Sequence, residues 1–356
     1  MPDDLYKAKE LVESVRYSGD TLKTADSVIH RDNDGMDSYF SLNSILINSL
    51  VTPEISNSVD KVVDRLNIPK KSIKAYVYAS SDIQAECHAG NSNDCIIRLS
   101  SGLIDILEYA EIEFVIGHEI GHFLYSHGLA LSTAGSESLE LSIQKRAQEI
   151  SADRIGLLAS ESLDVSIRAL MKTMSGLSSK YLKFDIGGFL SQLSNSESFK
   201  SQVDINSSHP SMLVRCRALL WFSMCDTFKN GSHNYQVDEV DRLNEKIKSD
   251  IDKFVDAKSR EKIETLKQDL ALWMVALSIV ENGSFSKGEQ RQFSEMFDND
   301  TLGKLKSFLS GLDASTASKT IEQNLEKAKN ELYNAIPTSF DKELDGISQE
   351  VRLQFN

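Results

Sequence analysis

Apolar residues recur at helical spacing along most of the chain, and strand-like runs are confined to one short region. Three runs rich in β-branched and aromatic residues favour strands, at 73–80, 83–89 and 95–99. Helical patterns precede this region and continue after it, in segments near 54–66, 112–130, 137–160, 236–256, 258–281 and 316–335. The pattern predicts a mainly α protein with a small β-sheet (α+β), the sheet lying just before the helix at 112–130.

Turn-forming residues suggest where the chain divides. Thr52-Pro53-Glu54 has the N-cap, first-turn proline and acidic residue typical of a helix start. Asn230-Gly231-Ser232 is a turn sequence, and the pattern after it is almost entirely helical. We therefore predict an N-terminal helical segment (1–50), a central domain (51–230) and a helical C-terminal domain (231–356) that ends in an acidic tail.

The helix predicted at 112–130 carries His118-Glu119-Ile120-Gly121-His122. Residues four apart share one face of a helix, so both imidazoles can direct a nitrogen to one point. Zinc accepts imidazole nitrogens, and catalytic zinc sites keep a position open for water. Glu119 lies one step round the helix, where its carboxylate can take a proton from that water. The motif predicts a catalytic zinc site; the alternative is a buried helix with two incidental histidines.

Two histidines need a third protein ligand, and the helix near 137–160 offers one. Glu149 and Asp153 are four residues apart on one helical face. We predict that Glu149 binds the metal and that Asp153, one turn further on, accepts a hydrogen bond from the second nitrogen of a ligand histidine. The alternative is a solvated acidic helix face.

Composition and charge exclude several classes of function. The chain has 356 residues, 40% of them hydrophobic, and a net charge of -14, which argues against a nucleic-acid-binding surface. We expect no secretory signal at the N-terminus and no membrane span, because no window approaches the roughly 18 apolar residues that a span requires. Four cysteines, without C-x-x-C spacing, favour a cytoplasmic protein.

Three segments in order, HEIGH (118–122), EISADRIG (149–156) and HPSMLVR (209–215), resemble the marks of the HtpX-like family of gluzincin metallopeptidases, which includes the CAAX prenyl proteases. The chain is similar to the Oma-type and BepA-type members over about residues 50–225. The resemblance implies a zincin-like metallopeptidase fold and one zinc ion per chain. It implies that His118, His122 and Glu149 bind the zinc and that Glu119 is the general base.

The same resemblance implies roles for residues near the metal. Asp153 would support a ligand from the second shell, and Arg215 would form an ion pair near the site. His209 would stabilise the oxyanion of the tetrahedral intermediate, or gate the metal when substrate is absent. The alternative for His209 is a helix-capping residue beside a proline.

The stretch IKAYVYASSDIQA (73–85) resembles the strand that leads into the family's substrate-binding edge, although Glu86-Cys87-His88 replaces the family's apolar edge sequence. We predict the substrate edge within residues 83–89. A protein or peptide substrate would add to this edge by backbone hydrogen bonding. The edge residues are Gln84, Ala85, Glu86, Cys87 and His88. Cys87 or His88 could instead bind the zinc and keep the enzyme latent. His127, nine residues after His118, is half a turn from the metal face, so we do not expect it to be a ligand.

The C-terminal region weakly resembles the TerB-like helical module, which suggests a site for a regulatory partner. Taken together, the sequence predicts a soluble zinc metalloendopeptidase that acts on proteins. One alternative is a protein-interaction module with a structural or vestigial zinc site. A third hypothesis joins the two, as a latent protease that is switched on through its C-terminal region.

Overall fold

The structure is a computed structural model of the chain. It describes residues 6–21, 36–89, 94–127, 138–194, 212–231, 234–254, 256–282, 286–311 and 313–355. Within these residues helices predominate and one four-stranded sheet is present, which confirms the predicted mainly α, α+β class. None of the helices in this part of the chain combines the length and the apolar character needed to cross a membrane.

The sheet has the strand order β1-β2-β4-β3. Its strands are β1 (Ile45–Leu46), β2 (Ile73–Tyr78), β3 (Ala85–Ala89) and β4 (Cys95–Ser100). β2 and β4 are parallel, while β1 and β3 run antiparallel to their neighbours, so β3 forms one edge. Three strands follow the predicted runs. β1 was not predicted, because it has only two residues and both are exposed.

Sixteen α-helices are described. In chain order they are α1 (Tyr6–Ser14), α2 (Met36–Asn43), α3 (Pro53–Arg65), α4 (Ser101–Ile106), α5 (Tyr109–Leu124), α6 (Leu139–Ser160), α7 (Leu163–Ser175), α8 (Ile186–Ser194), α9 (Met212–Ser223), α10 (Asp226–Lys229), α11 (Val237–Phe254), α12 (Ala257–Asn282), α13 (Lys287–Phe297), α14 (Asn299–Ser310), α15 (Ala314–Ala335) and α16 (Phe340–Phe355).

Helix α5 is the centre of the main core. Its start is fixed by a capping box in which Glu108 and Glu111 satisfy each other's backbone N–H groups. Most of its side chains are buried, and it packs against β3, β4, α3 and α7. Lys172 of α7 reaches Glu111 at 2.6 Å, and both side chains are buried, so this ion pair helps to fix α7 beside α5. The helix that carries both histidines is therefore held on several sides.

Helix α6 approaches α5 closely because both helices have small residues where they meet. A Cβ atom on Gly117 would lie 2.3 Å from the Cβ of Ala159 and 3.1 Å from the Cα of Gly156. A Cβ on Gly121 would lie 3.1 Å from the Cα of Ala152. The two backbones are thus almost in contact over two turns, and larger side chains would separate them.

The N-terminal segment packs into the same core. Val12 and Val15 are buried, and their carbonyl oxygens accept hydrogen bonds from the hydroxyl of Tyr125 (2.6 Å) and the guanidinium of Arg154 (2.7 Å). The backbone N–H of Tyr17 donates to the hydroxyl of a serine of α6 at 3.2 Å. The stretch after α1 is thereby tied to the end of α5 and to α6.

The chain divides into two compact units. The first comprises residues 1–133 and 142–256, and the second comprises residues 134–141 and 257–356. In the second unit α12 packs along α15 and α16. The sequence predicted an acidic tail where α16 forms; Ile347, Val351 and Phe355, each four residues apart, give this helix a buried face. The predicted boundaries at 50 and 230 stay a prediction.

Replacing Gly117 by alanine should destabilise the protein by about 1–3 kcal/mol, as overpacking does in cores. A glycine-to-alanine change inside a helix is otherwise stabilising by roughly 0.5–1 kcal/mol. The difference arises because the new Cβ would lie 2.3 Å from that of Ala159. The free energy of unfolding in urea measures the effect.

Gly303→Ala in α14 is the matched control, because nothing lies within 4 Å of the added Cβ, and it should not destabilise. The double variant Gly117→Ala/Ala159→Gly lacks the Cβ atom nearest to the new one. It should therefore recover part of the lost free energy of unfolding. Wild-type stability of Gly117→Ala would contradict the close crossing of the two helices.

Candidate metal centre

Two histidines of α5 and a glutamate of α6 converge on one point. The Nε2 atoms of His118 and His122 are 3.0 Å apart. Glu149 directs Oε2 to within 3.6 Å of His118 Nε2 and Oε1 to within 3.4 Å of His122 Nε2. Among the described residues, these three form the group whose ligand atoms all lie within 4.8 Å of one another and could hold a metal ion.

The ring of His118 is oriented by a buried carboxylate on α6. Its Nδ1 lies 3.0 Å from Asp153 Oδ1. Arg215 of α9 binds both oxygens of Asp153, at 2.7 and 2.5 Å, and reaches Glu149 at 3.1 Å. Burial raises the pKa of Asp153, but the charge of Arg215 and the hydrogen bond with His118 outweigh it and lower this pKa. Asp153 is therefore ionised and can only accept, so His118 donates from Nδ1.

The ring of His122 is oriented by a second imidazole. Its Nδ1 lies 2.8 Å from Nδ1 of His127, whose Nε2 lies 3.0 Å from Asp20 Oδ2. Burial lowers the pKa of His127 to about 4, so this ring is neutral at pH 7. Burial raises the pKa of Asp20, but the hydrogen bonds and charges of His127 and Arg16 lower it overall. Asp20 is thus a carboxylate that accepts from Nε2 of His127.

These contacts determine where the protons are. Because His127 donates through Nε2, its Nδ1 has a free lone pair and accepts from Nδ1–H of His122. His118 donates through Nδ1 to Asp153 in the same way. Both His118 and His122 can therefore direct an unprotonated Nε2 toward Glu149. Burial lowers the pKa of His122, but the hydrogen bond and charge of Glu149 raise this pKa overall. The site therefore favours positive charge at Nε2 of His122, the nitrogen that faces Glu149.

This donor set fits a zinc ion. Two imidazole nitrogens and one carboxylate are the ligands of one class of catalytic zinc site, which leaves a fourth position for water or substrate. The second nitrogen of each imidazole already has a hydrogen-bond partner, as is typical of metal-binding histidines. His118, His122 and Glu149 would hold the ion.

Glu119 faces a cavity beside the three ligands. The side chain is mostly buried, and Cys87 on β3 lines the same cavity. Burial and the charge of Glu119 raise the pKa of Cys87 well above its ordinary value, so Cys87 stays a neutral thiol. The cavity, about 550 Å³, is lined by the ligands and by apolar residues of α5 and α7, including Phe114 and Leu170.

Strand β3 borders the cavity with an open side. The backbone N–H of Ser100 donates to the carbonyl of Gln84 at 3.0 Å, so positions 84, 86 and 88 are bonded to β4. The backbone groups of Ala85 and Cys87 therefore point away from β4, toward the edge of the sheet. On the other face of the sheet, Glu86 pairs with Arg98 at 2.5 Å and the ring of His88 packs against Phe40.

The predicted site residues have different outcomes. His118, Glu119, His122, Glu149, Asp153 and Arg215 lie together, whereas His209 lies outside the described residues. Cys87 lines the same cavity as Glu119 and is not part of the three-ligand group. Sequence analysis missed the roles of His127 and Asp20. The half-turn argument for His127 assumed a helix through residue 130, but α5 ends at Leu124. Spacing also gave no sign that Asp20 would meet this ring.

Comparisons with known proteins support the same reading. The profile described as "Peptidase family M48" matches residues 49–144 and 129–221. Metalloprotease YcaL of Escherichia coli (strain K12) is 42% identical over 64 residues, 18% of this chain and 24% of that protein. The plastoglobule-localized metallopeptidase 48, chloroplastic, of Arabidopsis thaliana is 25% identical over 167 residues, 42% of this chain and 48% of that protein. No solved structure matches the chain.

The chain thus spans about a quarter of one curated relative and about half of the other. The matched region contains the convergent histidines, Glu149, Asp153 and Arg215. It confirms the resemblance to HtpX-like peptidases. The match to peptidase family M48 covers residues 49–221, just under half of the chain.

Proposed function

We propose that the chain is a zinc-dependent endopeptidase that hydrolyses peptide bonds of protein substrates. The observation that carries this proposal is the convergence of His118, His122 and Glu149 beside Glu119, in a region that matches a peptidase family. The four free cysteines fit a reducing, cytoplasmic location, which we include in the proposal.

His118, His122 and Glu149 would hold one zinc ion. When bound, zinc supplies Lewis-acid polarisation of the scissile carbonyl and of a water molecule. Asp153 and Arg215 keep His118 in the required tautomer, and the pair with Arg215 also holds Glu149 in place. Because these groups are buried and already paired, little reorganisation is needed at the moment of reaction.

Glu119 acts as the general base. Its carboxylate faces the cavity next to the ligand nitrogens, where it can take a proton from the attacking water and deliver it to the leaving amine. The neutral thiol of Cys87 lines the same cavity beside this carboxylate. From the family resemblance, we assign to His209 the stabilisation of the oxyanion.

The substrate would bind as an additional strand beside β3. An extended peptide at this edge can pair with the outward backbone groups of Ala85 and Cys87 and pass its scissile bond across the cavity. Recognition through the backbone would suit an enzyme that accepts unfolded or extended segments of proteins.

Glu119→Gln should reduce the cleavage rate about 10²- to 10⁴-fold, because the amide cannot accept the water proton. Its zinc content should equal that of the wild type, since Glu119 is not one of the three ligands. Cleavage of an unstructured protein such as casein, with zinc measured in the same samples, tests this.

Glu245→Gln, an exposed site on α11, is the matched control and should cleave at the wild-type rate. A zinc-loaded Glu119→Gln that retains full activity would remove the proposed mechanism. A wild-type protein that binds zinc and cleaves no protein would favour a structural metal site instead.

Ala85→Pro should lower kcat/KM for an unstructured substrate, mainly through KM. Proline removes an N–H at the first position of an edge strand, where the bonds to β4 are left intact. Loss of one hydrogen bond, worth about 0.5–1.5 kcal/mol, corresponds to roughly a 2- to 12-fold change.

Ala85→Ser keeps the N–H and serves as the control, with kcat/KM close to that of the wild type. Thermal unfolding of both variants checks that the sheet is retained. If Ala85→Pro folds and cleaves like Ala85→Ser, the substrate does not pair with this edge.

A further inference from the structure

We propose that Asp20, in the segment after α1, is a positioning residue of the metal centre, acting through His127 on His122. This inference rests on the proposed function, because it takes His122 as a metal ligand. Asp20 lies outside the region matched to peptidase family M48, residues 49–221. The segment that contains it would therefore be part of the metal centre, in addition to packing against the core.

The contacts run in one line from the N-terminal segment to the ligand nitrogen. Asp20 Oδ2 is 3.0 Å from His127 Nε2, and His127 Nδ1 is 2.8 Å from His122 Nδ1. The opposite nitrogen of His122 is the one that faces Glu149. A hydrogen bond at Nδ1 therefore fixes the tautomer and the ring rotation of the ligand.

All four acceptor positions of the Asp20 carboxylate are occupied. Oδ1 accepts from Arg16 at 3.2 Å and from Gln144 at 3.0 Å. Oδ2 accepts from Arg16 at 3.1 Å and from His127. The carboxylate has two oxygens with two lone pairs each, so it has no freedom to rotate and His127 must be the donor.

The position of Asp20 is itself fixed by contacts away from the carboxylate. Its backbone N–H donates to the carbonyl of Tyr17, and Tyr17 is bonded to α6. The ring of His127 stacks on the ring of Tyr125, with ring centres 5.1 Å apart. The segment cannot move away from α5 without breaking several buried bonds, which is what a positioning role requires.

The groups that orient His122 resemble the groups that orient His118. His118 is backed by Asp153, whose charge is balanced by Arg215. His122 is backed by His127 and Asp20, whose charge is balanced by Arg16. Each ligand histidine thus depends on a buried carboxylate that an arginine holds. Asp153 lies within the matched region, and Asp20 lies outside it.

The test is the affinity for zinc, measured by competition with a chromogenic chelator. Asp20→Asn should raise the zinc dissociation constant about 10- to 100-fold, the usual effect of removing a partner of a ligand histidine. His127→Leu, which cannot accept from His122, should do the same. His127→Gln keeps a side-chain acceptor and should recover part of the affinity.

The control must loosen the same segment without touching these bonds. Tyr125→Phe removes the hydroxyl that binds the carbonyl of Val12 and keeps the ring against His127. It should lower the unfolding midpoint of the zinc-free protein and leave the zinc dissociation constant unchanged. The unfolding midpoint of each zinc-free variant separates loss of folding from loss of positioning.

The outcomes separate this inference from the proposed function. If Asp20→Asn and His127→Leu fold and bind zinc as tightly as the wild type, the inference is overturned even when the enzyme cleaves protein. If all variants, Tyr125→Phe included, lose affinity in step with stability, the role is structural and the inference is again overturned. If the wild type binds zinc and cleaves nothing, the proposed function fails while the expected difference in affinity can still be observed. A wild type that binds no zinc overturns both.

Discussion

The site depends on how closely α6 can approach α5. Gly117 and Gly121 each directly precede a ligand histidine, so a stripe of glycines runs beside the stripe of imidazoles, about 100° round the helix. On α6, Ala152 and Gly156 lie next to the stripe of Glu149 and Asp153 in the same way. The glycines and the alanine form the contact between the two helices, and the histidines and carboxylates line the side of this contact. Without this close contact the α6 carboxylates could not reach the α5 rings, and no choice of ligand residues would compensate.

A close crossing buries charge, and the surrounding residues make that burial possible. A buried carboxylate without a partner would take up a proton, because desolvation disfavours its charged form. Arg215 bridges Asp153 and Glu149, so one guanidinium stabilises both a ligand and the group that orients another ligand. Arg16 forms an ion pair with Asp20 and stabilises its charge in the same way. The tautomer of His118 is consequently held by the charged Asp153, and that of His122 by the neutral ring of His127, which the charged Asp20 holds in turn.

The sequence was most informative where the chemistry is local. His118 and His122 could be predicted because the period of a helix alone brings them to one face, with Glu119 one step round it. Glu149 and Asp153 could be predicted because the same period applies one helix later. The strands at 73–99 were found from composition, yet their order was not predicted, since pairing is set by contacts between distant residues. Asp20 and His127 are separated by 107 positions, a distance over which periodicity carries no information. Helix α16 was read as a tail because its acidic residues obscured an apolar stripe at Ile347, Val351 and Phe355.

The region matched to the peptidase family also depends on residues to either side of it. Arg154, in the same turn as Asp153, is buried and donates to the carbonyl of Val15 and to the side chain of Asn244 on α11, both at 2.7 Å. Neither acceptor lies within residues 49–221. Burial already lowers the pKa of Arg154 to about 10, so its charge is costly to maintain even with these partners. Removing both acceptors would lower the free energy of unfolding by about 1–3 kcal/mol for each donor left unsatisfied. The loss would fall on the helix turn that holds Asp153 against His118. The geometry of the centre is therefore set by the whole compact unit of residues 1–133 and 142–256, because its buried arginine needs the chain on both sides.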